Sequence, residues 1–358
     1  MVPRRTRFTV QIQSRREFLE KGMLAAAWAG LAACSGTDLS SPQNGGAPQP
    51  SGNVPQPDGS VPSGPQLVPG AYTPITPNEQ FYITSCCGNP VVDATTWALS
   101  ILNRGVEITS VDYLTLRNLP ARKKEHTLEC ISAGSGYLAI SNAIWTGLPL
   151  VEVFDAIGVR VSAGTIEMVF RSVDGYSASL PVTDLAKPVW LVWLMNGVEL
   201  PAEHGYPARL LVPGRYGMKN PKWITSIDFV DQPFTGYWDQ QGWSKAAPYQ
   251  TNTMVHVPRD DVPAGAIVAS GTAFAGSDPI VSVEVSVDGG EWLSATLDYA
   301  PGPDIWTLWH HDMVLEQGPH TIQARCTTKS GSRTSPSADA TDYLAGFDGS
   351  DLAKFNVT

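Results

Sequence analysis

One cysteine stands in surroundings that suit metal chemistry. Cys130 lies in HTLECISAGSGYLAISNAIWTGLPL, residues 126–150, which contains no second cysteine and only one histidine. A thiolate is a soft ligand for transition metals, although a solitary buried cysteine is more often an inert apolar core residue. The residues leave three alternatives open for Cys130: a core thiol, half of a disulfide, or a metal ligand whose partners come from elsewhere.

The other cysteines exclude several kinds of redox centre. Cys34, Cys86, Cys87 and Cys326 are scattered along the chain, apart from the one adjacent pair. The sequence has no CxxCH motif for covalent haem and no cysteine cluster for zinc or an iron–sulfur cluster. This pattern also does not make a disulfide framework. If the protein moves electrons, its second redox centre is on another molecule.

The segments around Cys130 must position it, and they predict a mixed α+β domain over residues 71–231. Trp97–Ile101 and Thr165–Val173 are strand-like. Leu148–Ile157 has apolar residues at helical spacing, and the glycine that follows favours a helix end. Two strand-like runs within residues 190–200 flank an Asn-Gly pair, which is typical of a tight type I′ hairpin.

The pattern changes in the C-terminal third of the chain. Valines alternate with polar residues over Val281–Val287, and Asp288–Gly290 reads as a turn. Thr321–Cys326 alternates again. Short alternating strands separated by turns predict a β-sandwich. We assign residues 232–345 to this second domain and residues 346–358 to a C-terminal tail.

The N-terminal residues 1–34 read as an export signal. Residues 14–19 are SRREFL, and a 12-residue apolar run follows from Gly22 to Ala33. That run is too short to span a bilayer, which requires about 20 residues. The arginine pair resembles a twin-arginine signal, and a general secretory signal is the alternative. We therefore expect an exported protein in the periplasm or another extracytoplasmic space.

The end of the apolar run offers a lipid attachment site. Leu31–Cys34 resembles a lipobox, in which Cys34 becomes the lipidated first residue, and ordinary cleavage near Ala33 is the alternative. Residues 35–70 contain 8 Pro, 7 Gly and 6 Ser, so they cannot bury enough apolar surface to fold. We expect a disordered linker, which on the lipoprotein reading tethers a soluble domain to the membrane.

The composition limits the number of domains, the structural class and the kinds of partner. A chain of 358 residues is long enough for two domains with cores. Its 33 glycines and 29 prolines are typical of a β-rich protein with many turns. The formal net charge is -10 and no basic cluster stands out, so we expect no nucleic-acid partner.

Six sequence blocks, taken in order, resemble the sulfite oxidase family of molybdopterin-dependent oxidoreductases. The resemblance runs from about Tyr72 to about Tyr343. It implies a sulfite-oxidase-like molybdopterin-binding domain followed by an immunoglobulin-like β-sandwich, which serves dimerisation in the family. The blocks are PNEQFYITS (77–85), TLECIS (127–132), WTGLPL (145–150), DGYSASLPV (174–182), MNG (195–197) and HGYPARLLVPGRYGMKNPKW (204–223).

The resemblance assigns a role to each matching residue. Cys130 matches the catalytic thiolate that coordinates molybdenum, whose other sulfurs come from a pterin dithiolene. Tyr176 matches a catalytic tyrosine beside the metal, where its hydroxyl holds an oxo group or substrate. Taken alone, each of these residues is better explained by a structural role. The occurrence of all six blocks in the family's order favours the functional role instead. The residues expected to bind molybdenum–molybdopterin are Tyr82, Ser85, Cys86, Cys130, Asp174, His204, Arg209, Asn220 and Lys222.

Two departures from the family pattern bear on the pocket. Where family members hold sulfite with arginines, this chain has Thr84 and Ser135. Loss of both cations weakens the binding of a doubly charged anion, so we expect a small substrate other than sulfite. The other departure is the pair Cys86-Cys87. A redox-active disulfide is one interpretation, but we favour two thiols, one buried and one lining the pocket.

Together the residues predict an enzyme that transfers an oxygen atom with two electrons. Its electrons would pass to or from a separate carrier, a cytochrome or a quinone-linked protein. The family's second domain implies a possible homodimer. The alternative is a cofactor-free, surface-anchored binding or structural lipoprotein that retains the fold, and molybdenum content distinguishes the two.

Overall fold

The computed structural model describes residues 72–134, 138–335 and 345–358. These residues lie in one compact unit, Pro57–Thr358. The predicted signal, lipid attachment site and linker fall outside the described residues, and so does Ser135. Within the described ranges, no helix is long and apolar enough to cross a membrane.

Two five-stranded sheets build the first domain. Its strands are β1 (Ala98–Asn103), β2 (Val106–Asp112), β3 (Arg122–Glu129), β4 (Ile140–Pro149), β5 (Glu167–Ser172), β6 (Ser177–Pro181), β7 (Trp190–Met195), β8 (Val198–Glu199), β9 (Arg209–Leu211) and β10 (Ile224–Val230). The first sheet has the order β2-β1-β10-β5-β6, and only its β1–β10 pair is parallel. The second has the order β3-β4-β7-β8, with β9 also paired to β7.

Apolar side chains from both sheets form one core. Leu99 and Ile101 of the first sheet pack in the same cluster as Leu191 and Trp193 of the second. All four are at most 1% exposed. Burial on this scale is the dominant favourable contribution to folding, at about 25 cal/mol per Å² of apolar surface. The two sheets therefore fold as one body, and their ends hold the functional loops.

Helices make up little of the domain, so the α+β prediction overstated the helical share. Among the described residues, the α-helices are α1 (Tyr113–Arg117), α2 (Leu150–Ala156) and α3 (Tyr237–Gln240). The predicted helix from Leu148 was wrong by two residues at its start. Leu148 pairs with Leu191 in β7, and Pro149 with Trp190. This cross-strand pairing outweighs local helical spacing, which is a weak preference.

The Asn-Gly hairpin prediction is confirmed. Asn196 and Gly197 join β7 to β8 with φ values of 51° and 85°. Both positive values fit a type I′ turn, which asparagine and glycine adopt at low cost. The Asn196 side chain also accepts a hydrogen bond from the Ile144 amide at 2.9 Å and donates one to the Asn78 side chain at 2.8 Å. The turn thus ties the second sheet to the segment that precedes β1.

In the described part of the second domain, eight strands form two four-stranded sheets. They are β11 (Asn252–Val257), β12 (Gly265–Phe274), β13 (Ile280–Val287), β14 (Leu293–Ser294), β15 (Thr296–Tyr299), β16 (Thr307–Leu315), β17 (Gly318–Thr328) and β18 (Leu352–Val357). The sheet orders are β11-β12-β16-β15 and β14-β13-β17-β18. Trp309 of one sheet and Phe355 of the other share a core. Two sheets packed on one core agree with a sandwich, and its immunoglobulin-like class stays a prediction.

The C-terminal residues correct one predicted boundary. Strand β18 pairs with β17 from Gly318↔Val357 to Gln323↔Leu352. Residues assigned to a tail therefore complete a sheet of the second domain. Their alternation LAKFNV buries Ala353, Phe355 and Val357, so the edge position is stabilised by core packing.

A further core joins the two domains beside Cys130. Ala139 and Ile140 of the first domain pack in one cluster with Phe274 and Trp306 of the second, and Cys130 lies against it. Residue 127 adds polar contacts across the same boundary. The Thr127 amide donates to the Asp304 carbonyl at 2.9 Å, and its hydroxyl accepts from the Trp306 amide at 2.9 Å. The second domain therefore covers the end of β3.

Replacing Gly147 by alanine tests the close approach of β4 to β7. A Cβ there would lie 2.1 Å from the Leu191 carbonyl oxygen and 2.7 Å from the Val192 Cα. Because backbone atoms cannot yield, we expect a loss of at least about 3 kcal/mol in the free energy of unfolding, measured by urea denaturation. The control is Gly105→Ala, where φ is +78° but space is open, and about 1 kcal/mol is expected. Equal losses in both variants would contradict the packing argument.

Candidate functional site

Cys130 is a free thiol at the end of a buried strand. It follows β3 directly, and its amide donates to the Ala139 carbonyl at 2.9 Å. Its carbonyl accepts from the Ala133 amide at 2.9 Å, which turns the chain just after the cysteine. The sulfur is half-buried and lies 3.1 Å from the Ser132 hydroxyl. The disulfide alternative for Cys130 is therefore excluded, and the thiol is placed to act as a ligand.

The backbone at Gly217 packs closely beside the Cys130 residue. A Cβ at Gly217 would lie 2.9 Å from the Tyr82 hydroxyl oxygen, 3.3 Å from the Glu129 carbonyl oxygen and 3.9 Å from the Cys130 Cα. Only glycine at position 217 lets the 217–219 turn approach Tyr82 and the end of β3 so closely. Burial raises the pKa of Tyr82, so its hydroxyl stays a neutral hydrogen-bond donor. Tyr82 thus lies close to the metal-ligand candidate, and its contact with the cofactor stays a prediction.

Arg209 is a buried cation with an unused donor. It is 5% exposed, and its terminal nitrogens donate to the His204 carbonyl at 3.0 Å and the Asn220 carbonyl at 3.2 Å. Its guanidinium lies 5.2 Å from the centre of the Trp145 ring. Its buried Nε has no hydrogen-bond partner. Burial lowers the pKa of Arg209 to about 10, so the side chain is still charged at neutral pH.

Lys222 lies beside Arg209. Its ammonium donates to the Glu203 carbonyl at 2.8 Å and lies 4.1 Å from the centre of the Trp223 ring. Burial, followed by repulsion from Arg209, lowers the pKa of Lys222 to about 7. Gly205, at φ +114°, lets both cations converge, because a Cβ there would lie 3.1 Å from the Cβ of each. The two cations are thus held close to each other at the base of the site.

His204 completes this cluster as a neutral ring. Its Nε2 hydrogen-bonds the Asn78 carbonyl at 2.8 Å, so this nitrogen is the donor. Burial is the main cause that lowers the pKa of His204, and Arg209 lowers it further. The structure therefore brings together His204, Arg209 and Lys222, three of the residues predicted to bind the cofactor.

Tyr176 and Asp174 lie on the turn between β5 and β6. The Tyr176 hydroxyl donates to the Met218 carbonyl, and its amide donates to Asp174 Oδ1 at 3.1 Å. Burial raises the pKa of Tyr176, and the negative charges of Asp239, Asp174 and Cys130 raise it further. Tyr176 is therefore within electrostatic reach of the Cys130 sulfur. Burial also raises the pKa of Asp174.

The adjacent cysteines correct a prediction. Cys86 and Cys87 form a disulfide, whereas we had favoured two separate thiols. The reason is that both sulfurs lie on one outward loop, where Cys87 is exposed, so neither enters the core as a free thiol. Ser85, also exposed, donates its hydroxyl to the Gly88 carbonyl and closes the loop. Contact of Ser85 and Cys86 with the cofactor stays a prediction.

Asn220 has a different position from the one expected of a cofactor ligand. Its Oδ1 accepts from the Val212 amide at 2.6 Å, and its Nδ2 donates to the carbonyls of Arg215 at 3.1 Å and Tyr216 at 3.0 Å. The side chain is therefore used by the backbone of its own loop. It positions the neighbouring cations, and a direct contact with a cofactor stays a prediction.

Sequence reasoning missed two buried ionisable groups near Cys130. Glu129 is fully buried, and both of its carboxylate oxygens accept from the Asn252 side chain, at 3.0 and 3.2 Å. Burial raises the pKa of Glu129 to about 8, so it is protonated at neutral pH. His126 is also buried, and both ring nitrogens lack a partner. Burial lowers its pKa to about 3. Their adjacency to Cys130 along β3 was the only available signal.

Comparison with known proteins agrees with this geometry. The family model of the oxidoreductase molybdopterin binding domain matches residues 87–238. The mitochondrial sulfite oxidase of Homo sapiens is 26% identical over 311 residues, covering 73% of this chain and 57% of that protein. The sulfite oxidase of Gallus gallus is 28% identical over 294 residues, covering 68% and 64%. The match thus spans little more than half of the human protein.

Two further proteins are similar to this chain, one in sequence and one in fold. The oxidoreductase YuiH of Bacillus subtilis is 26% identical over 160 residues, covering 44% of this chain and 78% of that protein. The solved structure of the sulfane dehydrogenase SoxCD from Paracoccus pantotrophus shares the fold. Its TM-score is 0.68 at 22% identity, covering 82% of this chain and 88% of that one. Residues 87–238 therefore match the oxidoreductase molybdopterin binding domain, and this chain is similar to sulfite oxidase-like molybdopterin-binding oxidoreductases.

Proposed function

We propose that this protein is a molybdenum–molybdopterin oxidoreductase that transfers an oxygen atom to or from a small substrate. The observation that carries the proposal is a pair of neighbouring cations, Arg209 buried and Lys222 half-buried, that form no ion pair with the described residues. Among the described residues, neither Arg209 nor Lys222 has a carboxylate oxygen within 4.0 Å. An uncompensated buried charge is costly, so a site of this kind needs an anionic ligand.

The donor set fits the pterin phosphate. The free Nε of Arg209 has no partner within the described chain, and guanidinium groups bind phosphate oxygens through several hydrogen bonds. Lys222 adds a point charge next to it. Tyr82 is within electrostatic reach of both Arg209 and Cys130, which links the cation pair to the thiol. One ligand with a phosphate at one end and a soft metal at the other would satisfy both groups.

The side chains around Cys130 support this chemistry. When bound, the cofactor supplies two-electron oxygen-atom transfer. Cys130 supplies the protein thiolate to the metal. Burial raises the pKa values of the Tyr176 and Tyr82 hydroxyls, so both keep their protons and can act as hydrogen-bond donors. We assign Tyr176 to hold an oxygen of the substrate, for which its hydroxyl would exchange its hydrogen bond to the Met218 carbonyl. The second domain excludes water from the far side of Cys130.

The substrate is a small molecule other than sulfite. Thr84 is exposed and uncharged at a position where the family places an arginine. The cations that remain in the cluster, Arg209 and Lys222, are those assigned to the phosphate. A neutral or larger oxygen acceptor or donor fits this charge distribution better than a doubly charged anion.

The cellular location and assembly of the protein are proposed from features of its sequence and fold. The arginine pair and apolar run support export, and Cys34 supports a lipid anchor on an extracytoplasmic membrane surface. The sandwich supports an immunoglobulin-like domain and a homodimer. The neighbouring cations Arg209 and Lys222 favour the cofactor-bound enzyme over a cofactor-free binding lipoprotein, which would gain nothing from positive charges without an anionic ligand.

A row of aromatic rings supports electron exchange with a separate single-electron carrier. Tyr176 lies 6.0 Å from Tyr237, Tyr237 lies 5.1 Å from Trp238, and Trp238 lies 6.2 Å from Trp243, between ring centres. These are ordinary distances for packed rings, so no gap wider than a ring contact interrupts the row. The last two rings are partly exposed. We assign this row as the route between the site and a docked haem or quinone-linked protein.

Replacing Trp238 by leucine tests the route. We expect electron transfer to a single-electron acceptor protein to slow by about tenfold, because the row loses the ring that links Tyr237 to Trp243. Stopped-flow reoxidation of substrate-reduced enzyme measures it. The matched control is Trp292→Leu, in the second domain, where Arg325 stacks on the ring. Equal transfer rates in both variants would remove the route from the proposal.

Replacing Cys130 by serine tests the metal ligand. Turnover should fall by at least about 1000-fold, because a hydroxyl does not replace a thiolate on a soft metal centre. Turnover is screened with sulfoxides, N-oxides and sulfite, and molybdenum is measured per chain. Cys326→Ser, at a buried thiol of the second domain, is the control and should retain activity. A serine variant at position 130 with full turnover would falsify the assignment.

Sulfate binding to the cofactor-free chain tests the cation pair. Lys222 is charged below its pKa of about 7 and neutral above it, whereas sulfate keeps its charge throughout this range. Sulfate should therefore raise the melting temperature by about 3 °C at pH 6, and the gain should shrink as the pH rises through 7. Lys222→Met should lose the pH dependence, and the exposed Lys123→Met should keep it. A gain that is the same at pH 6 and pH 8.5 would contradict the assignment.

A further inference from the structure

The disulfide Cys86–Cys87 lies beside a carboxylate at the rim of the site. The two sulfurs and a carboxylate oxygen of Asp174 all lie within 4.8 Å of one another. Cys87 is exposed, whereas Cys86 and Asp174 are half-buried. Three residues that can each offer one metal-binding atom therefore meet where reagents from solvent can reach them.

This disulfide has no evident task in holding the fold. A disulfide stabilises mainly by closing a loop of chain in the unfolded state, and adjacent residues enclose no loop. The segment is already held by other contacts. The Tyr82 amide donates to the Ser141 hydroxyl at 3.1 Å, and the Ser85 hydroxyl donates to the Gly88 carbonyl. The sulfur pair is therefore better explained by its chemistry than by stability.

We propose that Cys86, Cys87 and Asp174 form a redox-controlled site for a thiophilic divalent cation such as Zn²⁺. In the oxidised protein the sulfurs are bonded to each other, and disulfide sulfurs are poor ligands. In the reduced protein they become two thiolates next to a carboxylate. Zinc binds thiolate sulfur at about 2.3 Å and carboxylate oxygen at about 2.0–2.2 Å, so its ligand atoms lie within the observed spacing.

The two steps balance in electrons and protons. A dithiol reductant gives two electrons and two protons to the Cys86–Cys87 bond and becomes a disulfide itself. The sulfur–sulfur bond breaks, and two thiols form. The cation then displaces one proton from each thiol and binds the two thiolates and the Asp174 carboxylate. For release, a disulfide oxidant accepts two electrons from the two thiolates and, with two protons from water, becomes a dithiol, while the Cys86–Cys87 bond re-forms and the cation leaves.

Cation binding would reach the catalytic side chains through Asp174. This carboxylate accepts the hydrogen bond of the Tyr176 amide and is one of the negative charges that act on Lys222. Binding a cation would withdraw the carboxylate from both. We therefore assign the site a regulatory role, in which reducing conditions and the cation together lower turnover. The effect on turnover rests on the proposed function, whereas cation binding does not.

The experiment uses the full chain in its oxidised form and after treatment with dithiothreitol, which is then removed. Reduction should release two additional thiols per chain, counted with a thiol reagent. Zn²⁺ is then titrated against a chromophoric chelator. The reduced chain should bind about one more Zn²⁺ than the oxidised chain. Binding should weaken at least about tenfold in Asp174→Asn, which removes one ligand.

Two variants separate this site from the other thiols. A chain carrying both Cys86→Ser and Cys87→Ser keeps Cys130 and reports any zinc bound elsewhere. Cys326→Ser should bind zinc like the unchanged chain. Reduced protein that releases no thiols, or binds no more zinc than the double variant, overturns the proposal. Molybdenum measured in the same samples keeps the outcomes apart, since zinc binding without molybdenum would sink only the proposed function.

Discussion

The structure depends on holding charged and polar groups out of water around one thiol. Arg209 is buried and Lys222 half-buried, and neither forms an ion pair with a carboxylate of the described residues, while Glu129 and His126 are kept neutral by their surroundings. Burial disfavours each charged form, so such a cluster is stable only if a ligand or a neighbouring dipole compensates it. On the proposed function, an anionic ligand compensates the cations, and some stability of the fold without its ligand is exchanged for affinity, as is common at functional sites.

The second domain is part of this arrangement. Asn252 of β11 binds the Glu129 carboxyl, and the backbone near Trp306 binds Thr127. Both contacts reach β3 just before Cys130. The second domain therefore lowers the polarity around the site. It also orients β3, the strand that ends just before Cys130. A carboxyl with a raised pKa next to the thiol is one consequence of that cover.

Sequence reasoning succeeded where the signal was local or formed an ordered set. The Asn196-Gly197 turn was predicted because its positive φ values depend on two residues only. Cys130, His204, Arg209 and Lys222 were named from ordered blocks; the last three lie close together, and the roles of all four stay predictions. It failed at Leu148 and Pro149, where pairing with β7 extends a strand, and at the C-terminal residues, where β17 recruits one more strand. Both errors come from contacts distant in sequence.

By itself, the sequence determined the residue types and their order: a lone cysteine, a basic block and turns that are specified within a few residues. Only the tertiary structure decided their environments. It joined Cys86 to Cys87, brought Asp174 beside them, used up the Asn220 side chain and buried Glu129 against a residue 123 positions away. The physical reason is that propensity acts over one or two turns of chain, whereas burial and pKa depend on every element packed nearby.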